Sequence, residues 1–311
     1  GNGEEAKAHC QRAIELEPQW HKPHHLMANI LQDEGKDADA QIEFEIAAQL
    51  VDPQPVYTGD SSPWAKRQYD FISLDPGDMA QIQCNGGIEV RFEKISDNPL
   101  IMLLEDFLME EEISAIITAA EGKLKRSYVM SGSGAVDETS QANYRSSQST
   151  FLPWTSDDLI HKVKEKAACL AALSKEDLQR GLEDLQIVHY GQNEEFKVHH
   201  DSSVFHPRHF TLLLYLNDVE EGGATWFPAA GTNQQSFGQT IESIISKATN
   251  YDSSGQLPGI RVVPHKGQAV LFYNHFRNGS IDASAVHAGL PVVSGKKWIA
   301  NMWWKSADDN Q

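Results

Sequence analysis

Residues 190–201, YGQNEEFKVHHD, are the stretch on which the reading of this chain turns. In a strand, side chains two apart project to one face, so His199 and Asp201 point one way and His200 the other. Downstream, residues 208–228 (RHFTLLLYLNDVEEGGATWFP) are strand-rich and of barrel-forming type. Residues 287–303 (HAGLPVVSGKKWIANMW) then bring a lone His, followed ten residues later by Lys297.

Two ligands on one strand and a His from a neighbouring strand occupy one face of an octahedron. That arrangement leaves positions on Fe(II) where a bidentate 2-oxoacid and dioxygen can bind together. A closed tetrahedral zinc site leaves no such room. His-x-Asp alone is a short pattern that arises by chance, and the ordinary reading of a lone His such as His287 is a satisfied core residue. Lys297 decides between these readings. It follows a Gly turn, stands beside Trp298 and lies in sequence that otherwise reads as buried strand. A desolvated ammonium there requires an anionic partner, and a cosubstrate carboxylate supplies one.

Taken in order, these motifs resemble the catalytic domain of the prolyl 4-hydroxylases, a branch of the Fe(II)/2-oxoglutarate dioxygenases, over residues 88–305. The resemblance implies an α+β protein built on a double-stranded β-helix (jelly-roll, cupin-like) with flanking helices. It implies metal ligands at His199, Asp201 and His287, and Lys297 bound to the far carboxylate of 2-oxoglutarate. Tyr190 and the Thr225 of GGATWFP complete the cosubstrate pocket by the same likeness. Arg208 and Trp303 fall on the family's peptide-binding side, joined by Phe196 on the substrate wall and by Arg145 and Ser147 of YRSSQSTFL. The implied activity is hydroxylation of peptidyl proline at C4 with decarboxylation of 2-oxoglutarate to succinate and CO2, with ascorbate as a further cofactor. By resemblance alone, the endoplasmic reticulum or secretory pathway is favoured.

Three positions depart from the family's pattern. Asn193 stands where Gly is usual, and Asn tolerates positive φ better than most residues. Phe196 replaces a Tyr, which removes a hydroxyl from the substrate wall, and Leu290 replaces a common Cys. None touches iron or oxoacid, so the chemistry is better specified than the substrate. Lysyl hydroxylases and nucleic-acid demethylases share the barrel but commonly anchor the oxoacid with Arg, so Lys297 favours the prolyl branch. A different class, a repeat-based scaffold or sensor with a non-catalytic dioxygenase domain, is the alternative. Retention of all three ligands together with Lys297, Tyr190 and Thr225 argues against it.

With 311 residues, the chain has room for one large domain and a smaller unit. A net charge of −18, in a sequence with no basic stripe to neutralise phosphates, argues against nucleic acid as a partner. It suits a basic or neutral peptide or simply an acidic surface. No apolar run is long enough to span a membrane. The chain opens on Gly1 without a leader pattern and reads as part of a longer protein. Cys10, Cys84 and Cys169 are widely spaced and odd in number, which gives no disulfide framework. The adjacent Glu194 and Glu195 read as solvated loop charge.

Residues 1–52 form a tetratricopeptide-like helical segment in this reading, since Ala6 and Ala40, and likewise Ala13 and Ala47, lie 34 apart. The alternative is an ordinary helical hairpin. Residues 4–17 read as one helix and 21–51 as a pair broken at 33–37, a unit suited to docking a protein partner or presenting the peptide. His21, His24 and His25 there read as surface or packing residues. Residues 53–87 are read as a linker and short hairpins at the DPG and NGG turns, 88–305 as the dioxygenase domain and 306–311 as a tail. Apolar stripes predict helices over 109–121 and 157–170. Residues 229–257 read as an insertion between barrel strands that selects substrate if it lies near the mouth. His206 and His209 are expected to line the entrance, and Asn278 begins a glycosylation sequon.

Overall fold

The structure, a computed structural model, describes residues 2–34, 36–50, 63–127, 130–131, 134–135, 145–203, 207–231, 240–250, 257–277 and 279–305. Asn278 and His206 therefore lie outside the described residues, as does most of the expected linker. Among the described residues, no helix is long and apolar enough to cross a membrane.

Three helices come first: α1 (Asn2–Leu16), α2 (His21–Asp33) and α3 (Asp37–Leu50). Cys10, Met27, Ala28, Leu31 and Ala40 close a small core among them. Ala47 is fully buried as well, so small residues sit where α3 packs most closely. His24 is buried and pairs with Glu43 at 2.7 Å, which is a packing role.

A fourth helix, α4 (Pro63–Ile72), occupies sequence that had been read as linker and hairpin. Pro63 holds the first helical position, where its missing N–H costs nothing. Trp64, Ala65, Gln68 and Phe71 recur on one face and are buried. The helix is too short and its apolar stripe too sparse to stand out against the Pro- and Ser-rich stretch before it. Its C-terminal end is capped by the fully buried Lys94, whose ammonium donates to Ile72 O at 3.0 Å and Leu74 O at 2.5 Å.

The rest of the chain is strand-rich. It begins with β1 (Met79–Gln83), β2 (Glu89–Asp97) and β3 (Leu100–Leu104), and β1 and β2 form the hairpin expected at NGG. There follow α5 (Glu110–Ala120), β4 (Lys125–Arg126), β5 (Met130–Ser131), β6 (Gly134–Ala135), β7 (Gln148–Leu152), α6 (Asp158–Ala171) and α7 (Lys175–Gly181). The remaining strands are β8 (Leu185–Tyr190), β9 (Phe196–His199), β10 (Arg208–Tyr215), β11 (Glu221–Gly222), β12 (Thr225–Phe227), β13 (Ile260–Val262), β14 (Ala269–Tyr273), β15 (His287–Gly289), β16 (Val292–Ser294) and β17 (Lys297–Lys305). A last helix, α8 (Ile241–Thr249), lies between β12 and β13.

A nine-stranded sheet runs β1-β2-β3-β14-β10-β17-β8-β7-β4, and a four-stranded sheet runs β13-β12-β15-β9. From β8 onward the chain passes back and forth between them: β8, β10, β14 and β17 lie in the large sheet, and β9, β12, β13 and β15 in the small one. Two sheets built from interleaved strands in this order form a double-stranded β-helix, which accounts for the long connections and the antiparallel pairing throughout.

Alternation along the large sheet sorts its side chains into two cores. Leu185, Ile187, Leu212, Leu214, Leu271, Trp298, Ala300, Met302 and Trp304 face outward against α4, α5 and α6. Val188, Tyr190, Leu213, Tyr215, Val270, Phe272 and Ile299 face the barrel interior. The interior parity of β17 therefore also holds Lys297 and Trp303.

The helices α5 and α6 fall where the stripes predict, with Ile113, Ile116, Ala120, Ile160, Val163, Ala167 and Leu170 buried. Asp157 caps α6 by accepting from Leu159 N at 2.7 Å. Lys166 and Glu112 form a buried pair at 2.6 Å that joins the two helices. Glu112 also accepts from Met109 N at 2.8 Å at the start of α5.

Against the expectation of no disulfide, Cys84 and Cys169 are bonded, with their Cα atoms 5.8 Å apart, and tie the end of β1 to α6. Their separation of 85 residues follows no spacing rule, so only the packing of α6 on the sheet edge could bring them together. Cys10 is free and buried.

Candidate metal centre and its anion-binding pocket

The strand β9 ends at His199, and Asp201 lies in the bend beyond it. Strand alternation therefore does not by itself bring the two side chains to one place. Tertiary contacts do: Asp201 Oδ2 accepts from Thr211 Oγ1 of β10 at 2.7 Å and from Trp303 Nε1 of β17 at 3.1 Å. Thr211 in turn accepts from Asn274 Nδ2 at 3.0 Å. His287 stands opposite His199 in the β9–β15 pairing, with ring centroids 4.3 Å apart.

The ligating atoms of His199, Asp201 and His287 lie within 4.8 Å of one another. Nε2 of His199 is 3.6 Å from Asp201 Oδ1, and Nε2 of His287 is 3.7 Å from Oδ2. In each ring Nδ1 faces a backbone carbonyl, Lys197 O at 2.7 Å and Ala285 O at 2.9 Å. A carbonyl only accepts, so Nδ1 carries the proton and Nε2 presents its lone pair to the cluster. Burial, reinforced by the His199 ring, pushes His287 down to about 3, so its imidazole is neutral near pH 7. Burial would raise the Asp201 carboxyl, but His287, His199 and Arg208 outweigh it and hold it well below the usual carboxylate range. Neutral imidazole beside an ionised carboxylate is the protonation state that a divalent cation requires. This donor set fits Fe(II), for which two imidazoles and one carboxylate leave coordination positions to a bidentate ligand.

Lys297 is 2 % exposed and, among the described residues, has no carboxylate partner. It pairs directly with Tyr190 in the β17–β8 register. Its ammonium lies 5.5 Å from the Tyr190 ring and 5.8 Å from the Tyr215 ring. Burial pushes Lys297 down to about 7. Thr225 is buried beside it in the barrel, and its Oγ1 accepts from the Tyr215 hydroxyl at 2.8 Å. Tyr215 belongs to this pocket, although its motif had been read only as barrel strand. The signal was present, since Thr211, Leu213 and Tyr215 share one parity along RHFTLLLYL.

On the other side of the metal cluster, the Phe196 ring stacks on His199 with centroids 3.6 Å apart. The Arg145 guanidinium covers Phe196, 4.4 Å from its centroid. Arg145 Nε donates to Ser147 Oγ at 3.0 Å, whereas its Nη2 is buried without a hydrogen-bond partner among the described residues. Arg208 is bound to Glu183 and lies over the Trp303 ring at 3.6 Å.

Other expectations change. His209 does not line an entrance: it is 4 % exposed and packs edge-on against Trp64 and Trp304 on the helix-covered face. A bulge between Arg208 and Phe210 shifts the register and turns His209 to the outer side with Phe210. Glu194 is not merely solvated charge, since its carboxylate accepts from Gly191 N at 2.7 Å and closes the turn after β8. Asn193 in that turn has φ 63°, the left-handed conformation that Asn was expected to accept. The insertion carries α8, whose Ile244 and Ala248 pack with Val198, Val286 and Ala288. Those three flank His199 and His287 on the outer face of the small sheet, so α8 backs the strands that carry them. Leu290 joins the same cluster. His200 faces away from the metal cluster, with Nε2 3.0 Å from Asp282 O.

A two-His, one-carboxylate cluster, with a buried Lys that has no carboxylate partner among the described residues, in a double-stranded β-helix, defines the class of oxygenases that combine iron with a 2-oxoacid. Comparison with known proteins agrees. The profile of the 2OG-Fe(II) oxygenase superfamily matches residues 185–305. Probable prolyl 4-hydroxylase 7 of Arabidopsis thaliana is 32% identical over 222 residues, which is 68% of this chain and 65% of that protein, just under two thirds of its length. Prolyl 4-hydroxylase 13 of the same plant is 30% identical over 226 residues, covering 69% of this chain and 74% of that protein. A solved viral collagen prolyl hydroxylase from Paramecium bursaria Chlorella virus-1, in a 2OG complex, covers 68% of this chain with 23% identity and a TM-score of 0.46. The chain belongs to the prolyl 4-hydroxylase family of 2-oxoglutarate- and Fe(II)-dependent oxygenases. It is accordingly an oxidoreductase whose metal is iron and whose cosubstrate is 2-oxoglutarate.

Proposed function

We propose that this chain hydroxylates proline at C4 within a peptide or protein, with His199, Asp201 and His287 holding the iron. The observation that carries the reading is the ionised Asp201 between two imidazoles, 3.6 and 3.7 Å from their Nε2 atoms, with Lys297 buried in the same barrel beside Tyr190 and Tyr215. Fe(II) with 2-oxoglutarate and dioxygen supplies the oxidising chemistry, in which the oxoacid loses CO2 to give succinate and one oxygen atom passes to the substrate carbon.

The protein's own groups bind, orient and exclude water. Lys297 takes the far carboxylate of the oxoacid, with Thr225 and Tyr190 completing the pocket. The Tyr190 hydroxyl lies against Ser147 and Arg145, so the cosubstrate pocket and the peptide side share a wall. The unpartnered Arg145 Nη2 is a buried donor suited to a peptide carbonyl. Phe196, held between Arg145 and His199, presents an apolar edge to the proline ring, and Arg208 and Trp303 border the same space. Ascorbate serves as reductant. The helices α1–α3 are a tetratricopeptide-like unit that docks a protein partner or presents the peptide.

The test is turnover of proline-containing peptides by the iron-loaded protein, with succinate release and 4-hydroxyproline measured together. Matched amounts of the two products are expected. Succinate release that no proline peptide stimulates, with a lysine peptide hydroxylated instead, overturns the substrate assignment.

The affinity for 2-oxoglutarate is also expected to depend on pH. The dicarboxylate binds the ammonium form of Lys297, whose pKa before binding is about 7. Affinity is therefore full below that pH and falls as pH rises through it. The fall is about tenfold per unit until the higher pKa of the ligand-bound ammonium is reached. Calorimetric titration over roughly pH 6 to 9, a span that brackets this pKa, checks the sign.

A further inference from the structure

We propose that Glu183 is a positioning residue for Asp201, acting through Arg208 and Trp303. The inference rests on the assignment of Asp201 as a metal ligand. Glu183 lies between α7 and β8, and its backbone is fixed on both sides. Its N–H donates to Trp303 O at 3.0 Å, and its carbonyl accepts from Trp154 Nε1 at 2.7 Å.

The side chain then grips Arg208 in a two-point fork, Oε1 accepting from Nε at 2.8 Å and Oε2 from Nη2 at 2.9 Å. Lys305 adds a second cation 3.3 Å from Oε1. Burial opposes ionisation of Glu183, but Arg208 and Lys305 outweigh it and keep the carboxyl below its usual range. A guanidinium held in plane by such a fork becomes a flat lid, and this one lies 3.6 Å from the Trp303 ring. The lid keeps the indole from turning about its two side-chain torsions. Its Nε1–H therefore stays aimed at Asp201 Oδ2.

The consequence falls on the metal site. With Trp303 and Thr211 both donating to Oδ2, the Asp201 carboxylate is fixed in rotation and Oδ1 is the oxygen left free toward His199. That oxygen would be the one offered to a metal held by His199, Asp201 and His287, while the two donors keep the carboxylate from turning. Arg208 and Trp303 thus act on Asp201 from behind, in addition to bordering the peptide side. Glu183, to which the sequence motifs assigned nothing, sets their geometry.

The test is anaerobic Fe(II) titration of the full chain in the presence of 2-oxoglutarate, followed by the visible charge-transfer band of the chelate. It is run for wild type, Glu183→Ala, Glu183→Gln and Trp154→Phe, with melting temperatures beside it. Outer partners of metal ligands typically contribute about 10- to 100-fold in affinity. Glu183→Ala is expected to weaken Fe(II) binding within that range and to shift the band, while 2-oxoglutarate affinity at saturating Fe(II) stays the same. Glu183→Gln preserves shape and one acceptor, so it should fold as wild type and show an intermediate loss. Trp154→Phe loosens the Glu183 backbone but spares the fork, and should lower the melting temperature without moving the band. Folded Glu183→Gln and Glu183→Ala proteins with wild-type iron affinity and spectrum overturn the proposal. So does a loss in Trp154→Phe equal to that in Glu183→Ala, because a purely structural role would then suffice. A wild-type protein that gives no band overturns the metal assignment itself and this proposal with it.

Discussion

An Asp201→Ala protein is expected to lose Fe(II) binding by more than about a hundredfold and to show no turnover. Removal of outer partners alone costs roughly 10- to 100-fold, and Asp201 is the single anion of the cluster. The truncation also strands two buried donors, Thr211 Oγ1–H and Trp303 Nε1–H, each of which costs about 1–3 kcal/mol unless it finds another acceptor. A drop in melting temperature would therefore accompany the loss of metal. Asp201→Asn separates the two effects. Its amide oxygen accepts from both donors at the Oδ2 position, so the fold is retained, but a neutral NH2 then faces His199 in place of the Oδ1 ligand oxygen. Metal binding measured on Asp201→Asn at its wild-type melting temperature is the decisive reading. If iron still binds with wild-type affinity, the cluster is not the metal centre.

Replacing Lys297 by Ala is expected to weaken 2-oxoglutarate binding by about 2–5 kcal/mol, roughly 30-fold to a few thousand-fold, with Fe(II) affinity unchanged. The size follows from burial, since an ammonium that is 2 % exposed meets its partner with little screening by solvent. Lys297→Met keeps most of the packing between Tyr190 and Tyr215 and removes only the charge. It should bind iron normally, lose the oxoacid and, without ligand, be at least as stable as wild type, because an unpaired buried ammonium costs free energy. Lys297→Arg tests geometry, because a broad guanidinium does not fit the space between two rings that a compact ammonium occupies. Calorimetry with 2-oxoglutarate on the iron-loaded variants distinguishes these outcomes. Undiminished affinity in Lys297→Met would place the oxoacid's far carboxylate elsewhere.

Much of this architecture could be read from local pattern. The apolar runs RHFTLLLYL and, at residues 267–273, GQAVLFY read as strands, and the structure places them side by side as β10 and β14. The stripes at 109–121 and 157–170 specified α5 and α6 because helical period and capping are properties of neighbouring residues. Asn193 could be assigned its left-handed turn because that tolerance is intrinsic to the residue. By contrast, α4 was hidden, since a ten-residue helix depends on the sheet it covers, and Trp64 gains its meaning only against His209 and Trp304.

The sequence by itself determined which residue types could meet iron and an oxoacid, and it carried the order of the strands that bear them. Only the tertiary structure decided how they are held. Asp201 sits past the end of its strand and is aimed by Thr211 and Trp303, ten and 102 residues away. Tyr215 enters the Lys297 pocket, Glu183 fixes Arg208, a bulge turns His209 to the outer core, and Cys84 finds Cys169. The physical reason is common to all five. Period and propensity act between neighbours in sequence, whereas these contacts depend on register between strands and on which faces close against each other, quantities that exist only once the sheets have folded.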